Sequence, residues 1–527
     1  MNNNLKIISI YLPQFHRLPE NDEWWGEGFT DWTAVKAAEK LFEGHYQTRE
    51  PLNDNYYNLL DKDTMIWQAD LAHRYGIYGF CFFHYYFKDG KKILEKPVEN
   101  FLSWKEININ FCFSWANETW ARTWSNINAK NAWSEKFESE NKGDSGVLLQ
   151  QEYGDEREWK AHFEYLLPFF LDERYIKIDN KPIFIFYKPD DILELDSMLE
   201  CWDHLALEAG FAGIYSIATN SFDHKRANAV LLQGPSAYRD IKIAGETVDL
   251  ERVNSVVSVD YEKVWKNAVH CRGLEECKVY YGGFVDFDDT PRRGKSGCFM
   301  RGVAPEIFEK YAYQLAVKNI VSKNEFFFIN AWNEWGEGNY LEPDKKNGYA
   351  YLEALERINN KCNLLEFNAG EEWNTIMRSE DILYNEEKER KLLKEVKKYQ
   401  RFYQLLDRWL LLKEKNIKLE DFFVKRGYKK IAIYGFATLG MHLYEELKNT
   451  SIQTVCAIDR RQGKKHLQLE IINPEDPTPD CDAIIVTVIQ NTEQIIDFFQ
   501  TRVNIPVFTL WDVIFKMEFS NVESDRR

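Results

Sequence analysis

The sequence has no uncharged apolar run that approaches the ~20 residues needed to cross a bilayer. Its first residues, MNNNLKIISIYLPQF, carry a short apolar segment with no cationic lead and no small-residue cleavage site. They therefore predict a strand and not a signal peptide. A cytoplasmic protein without a membrane span is the expectation that follows.

Basic residues are too few to balance the acidic ones: 67 Lys and Arg stand against 84 Asp and Glu, for a formal net charge of -17. A chain with this charge is repelled by phosphate backbones and anionic membranes. Nucleic acid is thus excluded as an expected partner. The 9 cysteines lack the paired spacing of a zinc site, which predicts reduced, buried thiols and no bound metal.

Aromatic residues, in contrast, make up 15% of the chain, and several tryptophans stand among charged and polar residues instead of in apolar runs. Flat apolar faces beside hydrogen-bonding groups suit a sugar ring, whose C–H face stacks while its hydroxyls pair. Packing in an ordinary core is the alternative. The tryptophans concerned are Trp24, Trp25, Trp32, Trp115, Trp120 and Trp124.

Short apolar runs alternate with amphipathic stretches over the first two thirds of the chain. The runs are nearly continuous in Ile, Val, Phe and Tyr, as expected for parallel strands covered on both faces. The predicted fold class is therefore α/β, with a (β/α)₈ barrel favoured and an open doubly wound sheet as the alternative. The predicted strands are Lys6–Leu12, Ile77–Phe83, Ile109–Trp115, Pro182–Lys188, Gly213–Thr219, Ala229–Gln233, Val279–Val285 and Glu325–Trp332.

A chain of 527 residues exceeds what one hydrophobic core usually organises. We predict a barrel domain over residues 1–375, a helical linker over 376–424 and a Rossmann-like α/β domain over 425–527. The linker is charged, poor in Gly and Pro, and apolar at roughly heptad spacing. It is predicted to be either a coiled coil that forms a homodimer or a helix packed on its own domain. The heptad positions are Leu392, Val396, Tyr399, Tyr403 and Leu406.

The C-terminal domain shows the order of a dinucleotide-binding unit. An apolar run leads to Gly435, Ala437 and Gly440, and the next run ends at Asp459. Ala437 occupies the place of the second glycine, whose missing side chain lets the backbone approach a pyrophosphate. A structural or substrate-recruiting role is therefore favoured over a bound nucleotide, and no cofactor is expected.

Polar and aromatic residues follow the predicted barrel strands, in the segments PQFH, HYYF, ANETWAR and NEWGEG. Active sites of such barrels lie at the carboxyl ends of the strands, so these segments predict one substrate-binding rim. A histidine near aromatic residues is, in the alternative, a core residue. The candidates for substrate binding are Tyr11, His16, Trp25, His84, Tyr85, Trp115, Asn117, Arg122, Asn333 and Trp335.

Glu334 and Glu337 are three residues apart, so a helical turn would direct both side chains to one side. Retaining glycosidases need two carboxyl groups about 5 Å apart. One carboxyl of such a pair keeps its proton more readily and can act as the general acid. Solvated loop carboxylates are the alternative interpretation.

A second Asn-Glu doublet, Asn117-Glu118, follows the third strand. Glu118 with Glu334 is therefore a rival catalytic pair, although Glu118 is better explained as a substrate-binding residue or a partner of Arg122. In the segment DFDDTPRRG, Arg292 and Arg293 could clamp an anionic group. Pairing with the neighbouring aspartates is equally compatible with the sequence.

Several long motifs resemble those of WbsX-type proteins from bacterial polysaccharide gene clusters, which are similar to family 99 glycoside hydrolases. They include IYLPQFHRLPENDEWWGEGFTDWTAVKAA, FCFSWANETWAR, DDTPRRG and NAWNEWGEGNYLEP, and the likeness spans roughly residues 5 to 360. Family 99 enzymes are (β/α)₈ endo-acting α-mannosidases. The resemblance implies that Glu334 deprotonates the 2-hydroxyl of the sugar, which attacks the anomeric carbon. Glu337 would protonate the leaving oxygen, with retention of configuration and no metal.

The resemblance also leaves alternatives. Family 99 hydrolases usually act on exported or lumenal glycans, whereas WbsX-type proteins are associated with O-antigen, capsule or lipopolysaccharide assembly. The expected substrate is an oligosaccharide or polysaccharide repeat unit, free or lipid-linked, that is cleaved or transferred at an α-glycosidic bond. A nucleotide-sugar-dependent glycosyltransferase and a non-catalytic glycan-binding protein are the competing hypotheses.

Overall fold

A computed structural model of the chain describes residues 5–121, 147–224, 226–239, 248, 250–271, 277–365, 368–460, 469–489 and 491–522. The chain divides into two compact units, Met1–Met377 and Arg378–Arg527. None of the described helices is both long and apolar enough to cross a membrane.

The first unit is built on a nearly closed barrel of parallel strands. Its sheet has 10 strands. One of them, Lys177–Ile178, is a short antiparallel addition, and two others, Val279–Tyr281 and Gly283–Phe284, are parts of one continuous stretch that we number β7. The barrel strands are β1 (Lys6–Tyr11), β2 (Ile77–His84), β3 (Asn110–Trp115), β4 (Lys181–Phe186), β5 (Tyr215–Thr219), β6 (Ala229–Leu232), β7 and β8 (Phe326–Asn330).

The barrel closes through β7. Its first part pairs with β6 and its second part pairs with β8, while β8 pairs in turn with β1. The predicted (β/α)₈ barrel is therefore confirmed, and the open-sheet alternative is wrong because the two ends of the row of described strands meet in β7. The strands are buried along almost their whole length, which explains their nearly continuous apolar sequence.

Helices alternate with these strands and cover the barrel. Those of the first unit are α1 (Pro19–Trp25), α2 (Asp31–Ala37), α3 (Lys62–Arg74), α4 (Lys96–Ser103), α5 (Glu156–Leu171), α6 (Leu195–Glu208), α7 (Ser236–Arg239), α8 (Tyr261–His270), α9 (Thr290–Arg293), α10 (Pro305–Val321) and α11 (Ala350–Leu365). Short strands in the connecting loops are Trp120–Ala121, Val147–Leu149, Glu251–Val253, Val256–Asp260, Cys298–Arg301, Asn333–Glu334 and Asn339–Tyr340.

The second unit contains a parallel sheet of five strands. In chain order they are β9 (Lys430–Tyr434), β10 (Gln453–Ile458), β11 (Ile471–Ile472), β12 (Ala483–Val486) and β13 (Val507–Thr509), and their order in the sheet is β11-β10-β9-β12-β13. The neighbouring helices are α12 (Ala369–Glu414), α13 (Glu420–Val424), α14 (Thr438–Leu447), α15 (Thr492–Gln500) and α16 (Leu510–Val522).

Helix α12 contributes to the core of the second unit through buried Leu405, Trp409 and Leu412. Of the predicted heptad positions, Val396, Tyr399 and Tyr403 are exposed on the same helix. Packing on its own unit therefore accounts for the C-terminal part of the helix, and a coiled-coil dimer stays a prediction for the exposed positions.

Candidate active site

A cavity of about 360 Å³ lies at the carboxyl ends of the barrel strands. Its wall combines residues that follow different strands, which is how (β/α)₈ barrels assemble their active sites. Among the predicted site residues, those that line it are Trp25, Tyr85, Glu118, Arg292, Arg293, Glu334 and Glu337. Trp120, one of the tryptophans expected to face a ligand, and Asp289 also line it. Lining residues that the sequence did not reveal are Gln14, Asp31, Tyr187 and Gln233.

The segment NEWGEG forms a tight hairpin over the cavity. Asn333–Glu334 pairs antiparallel with Asn339–Tyr340, and Trp335–Glu337 forms a single 3₁₀ turn between them. The turn ends at Gly338, whose φ of 65° is in the left-handed region that glycine adopts readily. Glu334 and Glu337 are thus presented from one short, constrained turn.

The guanidinium of Arg292 joins the two glutamates. Its Nη1 donates to Glu337 Oε1 at 2.8 Å, and its Nη2 donates to Glu334 Oε1 at 2.7 Å. The Nη2 atom also contacts both carboxylate oxygens of Asp31, at 3.2 and 3.3 Å. Two carboxylates bound to one guanidinium lie side by side, a compact arrangement compatible with the roughly 5 Å separation of retaining glycosidases.

The glycine between the two glutamates provides the space for this arginine. A Cβ atom at Gly336 would lie 2.7 Å from Nε of Arg292. Gly338 likewise provides space for a second arginine, since a Cβ atom there would lie 2.5 Å from Cζ of Arg49. Arg49 is itself held by Asp286 at 2.8 Å and donates to the carbonyl of Gly338. Each glycine of the motif therefore leaves room for the guanidinium of an arginine.

The two glutamates have unequal surroundings. Glu334 is 7% exposed, and burial raises its pKa well above the ordinary value; Glu337 and Asp31 add to this effect and Arg292 opposes it. The side chain of Glu337 is 33% exposed. Carboxyl groups in different environments are what acid–base catalysis on a glycosidic bond requires.

Further carboxyl groups surround the pair. Burial raises the pKa of Glu118, whose carboxylate lies 3.4 Å from Nζ of Lys188. Burial and the nearby Glu337 raise the pKa of Asp289 to about 6, and Asp289 lies 3.3 Å from Nε of Arg293. Carboxylates therefore outnumber guanidinium groups in the lining of this cavity.

Aromatic rings form another part of the wall. Trp120 and Tyr85 pack edge to face with ring centroids 5.4 Å apart, and Trp25 and Tyr187 also line the cavity. Burial and the surrounding carboxylates raise the pKa of Tyr187, so its hydroxyl stays a hydrogen-bond donor at neutral pH. The cavity thus offers apolar ring faces beside carboxylates and hydroxyls, a combination suited to a sugar.

The asparagines of the two Asn-Glu doublets clamp the backbone instead of facing this cavity. Asn333 accepts from the amide of Leu12 at 2.8 Å and donates to its carbonyl at 3.0 Å. Asn117 does the same with Lys188, at 2.8 and 2.7 Å. Each asparagine therefore ties its loop to a neighbouring strand end and fixes the direction of the glutamate that follows it.

Tyr11, Trp115 and His16, which were also predicted to bind substrate, are not among the residues that line this cavity. The Tyr11 hydroxyl donates to Gln68, and the Trp115 indole donates to the carbonyl of Tyr86. His16 is buried and lines a separate surface cavity. The polar atoms of Tyr11 and Trp115 are therefore paired with protein groups, and His16 lies at a different cavity. Arg122 and Trp124 lie outside the described residues.

The indole of Trp335 is held by a hydrogen bond to Glu342, a buried carboxylate that was not predicted from the sequence. Glu342 accepts from the Trp335 indole at 2.7 Å, from Tyr57 at 2.8 Å and from Gln68 at 2.7 Å. Burial raises its pKa to about 7. Its position in the apolar segment NYLEP was the signal that could have revealed it, since an acid among apolar residues must find donors.

We expect Glu342→Gln to lower the free energy of unfolding by about 1–3 kcal/mol, because the amide would leave at least one buried donor without an acceptor. Urea denaturation followed by tryptophan fluorescence measures this. The exposed Glu356 provides the control, and Glu356→Gln should change the stability by less than about 0.5 kcal/mol. Equal stability of both variants would contradict the anchoring role.

His84 contacts another buried histidine, His162. Their Nε2 atoms lie 2.8 Å apart, which requires one unprotonated ring nitrogen. Burial lowers the pKa of His84 to about 3 and that of His162 well below its ordinary value. The pair therefore stays neutral in the folded protein, and both side chains are 2–3% exposed.

We expect this pair to make the protein less stable in acid. Because the folded pKa lies below the unfolded value of about 6.5, the contribution is complete above that pH and is lost as pH falls. Each histidine can change the stability by up to about 1.4 kcal/mol per pH unit. Thermal unfolding between pH 8 and 5 should show a weaker pH dependence in His84→Leu/His162→Leu than in the wild type. His73→Leu, at an exposed position, should leave the dependence unchanged.

The sequence of the chain is similar to those of several known proteins. A family described as "Glycosyltransferase WbsX" matches residues 7–355. Two curated relatives, both called "Uncharacterized protein WxcX" and both from Xanthomonas campestris pv. campestris, are 30% identical over 359 residues, which is 67% of this chain and 49% of each relative. The chain thus spans about half the length of the curated relatives it matches.

Solved structures were also found to be similar. One is described as the GH99 endo-alpha-mannosidase from Bacteroides thetaiotaomicron in complex with BIS-TRIS-propane; it has 13% identity, a TM-score of 0.44, and a match that covers 68% of this chain and 97% of that one. Another, described as "Glycoside hydrolase-like protein", has 12% identity and a TM-score of 0.43, over 67% of this chain and 94% of that one.

Proposed function

The chain belongs to the WbsX glycosyltransferase family, and from this premise we propose that it is a carbohydrate-active enzyme of bacterial surface polysaccharide biosynthesis. It cleaves or transfers at an α-linked, mannoside-like bond through Glu334 and Glu337. The observation that supports the proposal most strongly is the pair of carboxylates held by one guanidinium inside an aromatic cavity.

In the proposed first step, Glu334 takes the proton of the sugar 2-hydroxyl, and that oxygen attacks the anomeric carbon. The bond to the leaving oxygen breaks while Glu337 gives this oxygen a proton, and a 1,2-anhydro sugar results. This division of roles follows the resemblance to family 99, and the raised pKa of Glu334 makes its ionised form a stronger base toward a hydroxyl proton. The greater exposure of Glu337 supports its role as the acid, because a departing sugar has to leave toward solvent.

In the second step, a hydroxyl attacks the anomeric carbon and opens the three-membered ring. Glu337 takes the proton of the attacking hydroxyl, and Glu334 returns a proton to the 2-oxygen. Two displacements at one carbon give overall retention. Hydrolysis and transfer share both steps and differ in whether water or a sugar hydroxyl attacks.

The nucleotide-sugar hypothesis is less well supported. A diphosphate would need free cationic groups, but Arg292 already contacts Asp31, Glu334 and Glu337, and Arg293 contacts Asp289. The excess of carboxylates in the lining repels an anionic donor. A neutral or amino-substituted glycan is the substrate class that fits this charge.

Incubation with the polysaccharide repeat unit of the source bacterium, free or lipid-linked, tests the proposal. We expect mass spectrometry and NMR to show cleaved or transferred glycan without any added nucleotide sugar. A product that forms only when a nucleotide sugar is supplied would support the glycosyltransferase alternative. Binding of the repeat unit without any product would support the glycan-binding alternative.

A cytoplasmic location and a homodimer through α12 remain parts of the proposal. The exposed Val396, Tyr399 and Tyr403 recur at heptad spacing, which supports pairing of two helices. Light scattering of the wild type and of Tyr399→Glu/Tyr403→Glu tests the dimer. A monomeric mass for the wild type would contradict it.

A further inference from the structure

The second unit has its own cavity, of about 350 Å³, at the carboxyl ends of β12 and β13. Its floor and sides include Val486, Val488 and Leu510. In open parallel α/β sheets, ligands bind outside the carboxyl ends of the strands, next to the point where the strand order reverses. Here the reversal lies between β9 and β12, since β10 and β11 extend the sheet on one side and β13 on the other.

The glycine-rich turn after β9 is not the feature that opens this cavity. The amide of Phe436 donates to Asp459 at 2.9 Å, so the carboxylate at the end of β10 already occupies a backbone donor of the turn. Gly440 packs so tightly that a Cβ atom there would lie 2.4 Å from the carbonyl oxygen of Gly435. Binding of a nucleotide at the glycine-rich turn stays a prediction; its residues are Gly435, Ala437, Gly440 and Asp459. The open cavity lies instead beside the ends of β12 and β13.

The wall of the cavity has a cationic part. Arg401 and Gln404 of α12 line it, and Arg401 is exposed on its helix. Thr492 also lines it and begins α15, whose first turn has no side-chain cap. Arginine and polarised amides at a helix start are the groups that proteins use for phosphate.

The other part of the wall is apolar and contains a flat ring. Trp511 lines the cavity together with Leu405 and Ile489, and the guanidinium of Arg408 lies 5.6 Å from the Trp511 ring centroid. An indole beside aliphatic side chains can take a planar heteroaromatic ring by stacking. The cavity thus joins a ring-binding part to an anion-binding part.

We propose that this cavity binds a nucleoside phosphate, with the base against Trp511 and the phosphate at Arg401 and the start of α15. Thr492 and Gln404, which also line the cavity, supply a hydroxyl and an amide for the ribose. The volume lies in the range of about 300–1,000 Å³ that small-molecule sites occupy. The site is separate from Glu334 and Glu337 and does not depend on the function proposed for them.

Calorimetry of the full-length chain with AMP, GMP, CMP and UMP tests the site, with the four nucleosides as controls that lack the phosphate. We expect at least one monophosphate to bind, and its nucleoside to bind at least tenfold more weakly. Arg401→Glu should weaken binding at least tenfold. Arg378→Glu, at an exposed position of the same helix, should leave it unchanged.

Val488→Trp fills the cavity from a position that is 36% exposed, so it should abolish binding and leave the thermal unfolding midpoint close to that of the wild type. Glu334→Gln should bind the nucleotide as the wild type does. The proposal is overturned if no monophosphate binds, if Arg401→Glu and Val488→Trp bind normally, or if Glu334→Gln abolishes binding and so places the nucleotide in the barrel.

Discussion

Replacing either glutamate of the NEWGEG turn should lower kcat on the natural glycan by roughly 1,000-fold, within the 10²–10⁴-fold range of general acid–base catalysis. Glu334→Gln and Glu337→Gln preserve side-chain size and can still bond to a neighbour, so the fold should be retained. The exposed Glu356→Gln is the matched control and should keep full activity.

A substrate whose leaving group needs no proton should distinguish the two variants by their activity. A glycosyl fluoride releases fluoride without a proton from an acid, so Glu337→Gln should regain most of its activity on this substrate. Glu334→Gln should stay inactive, because the attacking 2-oxygen still needs its base. Full activity of both variants on the natural glycan would remove the catalytic assignment, and rescue of Glu334→Gln alone would reverse the two roles.

Arg292→Met should lower kcat/KM by at least about 100-fold. The change removes charge-assisted hydrogen bonds to both glutamates and to Asp31, each worth about 1.5–3 kcal/mol. The buried carboxylate of Glu334 and the partly exposed carboxylate of Glu337 would then lose the cation that lies between them. Arg293→Met, which removes a contact with Asp289 and none with Glu334 or Glu337 among the ion pairs of the described residues, should cost much less.

The pH dependence of kcat/KM distinguishes an electrostatic role of Arg292 from a general loss of structure in Arg292→Met. Arg292 lowers the pKa of Glu334 against the effect of burial. Without it the pKa of Glu334 rises further, so the base becomes ionised at higher pH. The acidic limb of the kcat/KM profile should move to higher pH in Arg292→Met and stay in place in Arg293→Met. An unshifted limb would mean that the base is another group.

The barrel could be predicted because its strands are covered on both faces. Each predicted apolar run became a strand of the ring, with small differences at the ends, since a strand buried on both faces must be apolar throughout. The resemblance to WbsX-type proteins is confirmed by the family match over residues 7–355. The interruption of β7 could not be foreseen, because it depends on the register between strands and not on local sequence.

The centre of the site was beyond local sequence reasoning. Arg292 is 42 residues from Glu334 and 261 residues from Asp31, so neither contact leaves a pattern within a short segment. The sequence did suggest a pairing of arginines with neighbouring aspartates, and the structure shows that contact for Arg293 with Asp289. Asn117 and Asn333 were predicted to bind substrate, but their side chains bond to the backbone. The sequence around an asparagine does not reveal whether its amide faces a ligand or a backbone group.

The most direct test of the proposed mechanism is proton NMR of the first product released from an α-linked substrate, recorded before mutarotation. The account predicts the α-anomer from the wild type and roughly 1,000-fold slower release of product from Glu334→Gln. A β-anomer, or release of product by Glu334→Gln at the wild-type rate, would contradict it.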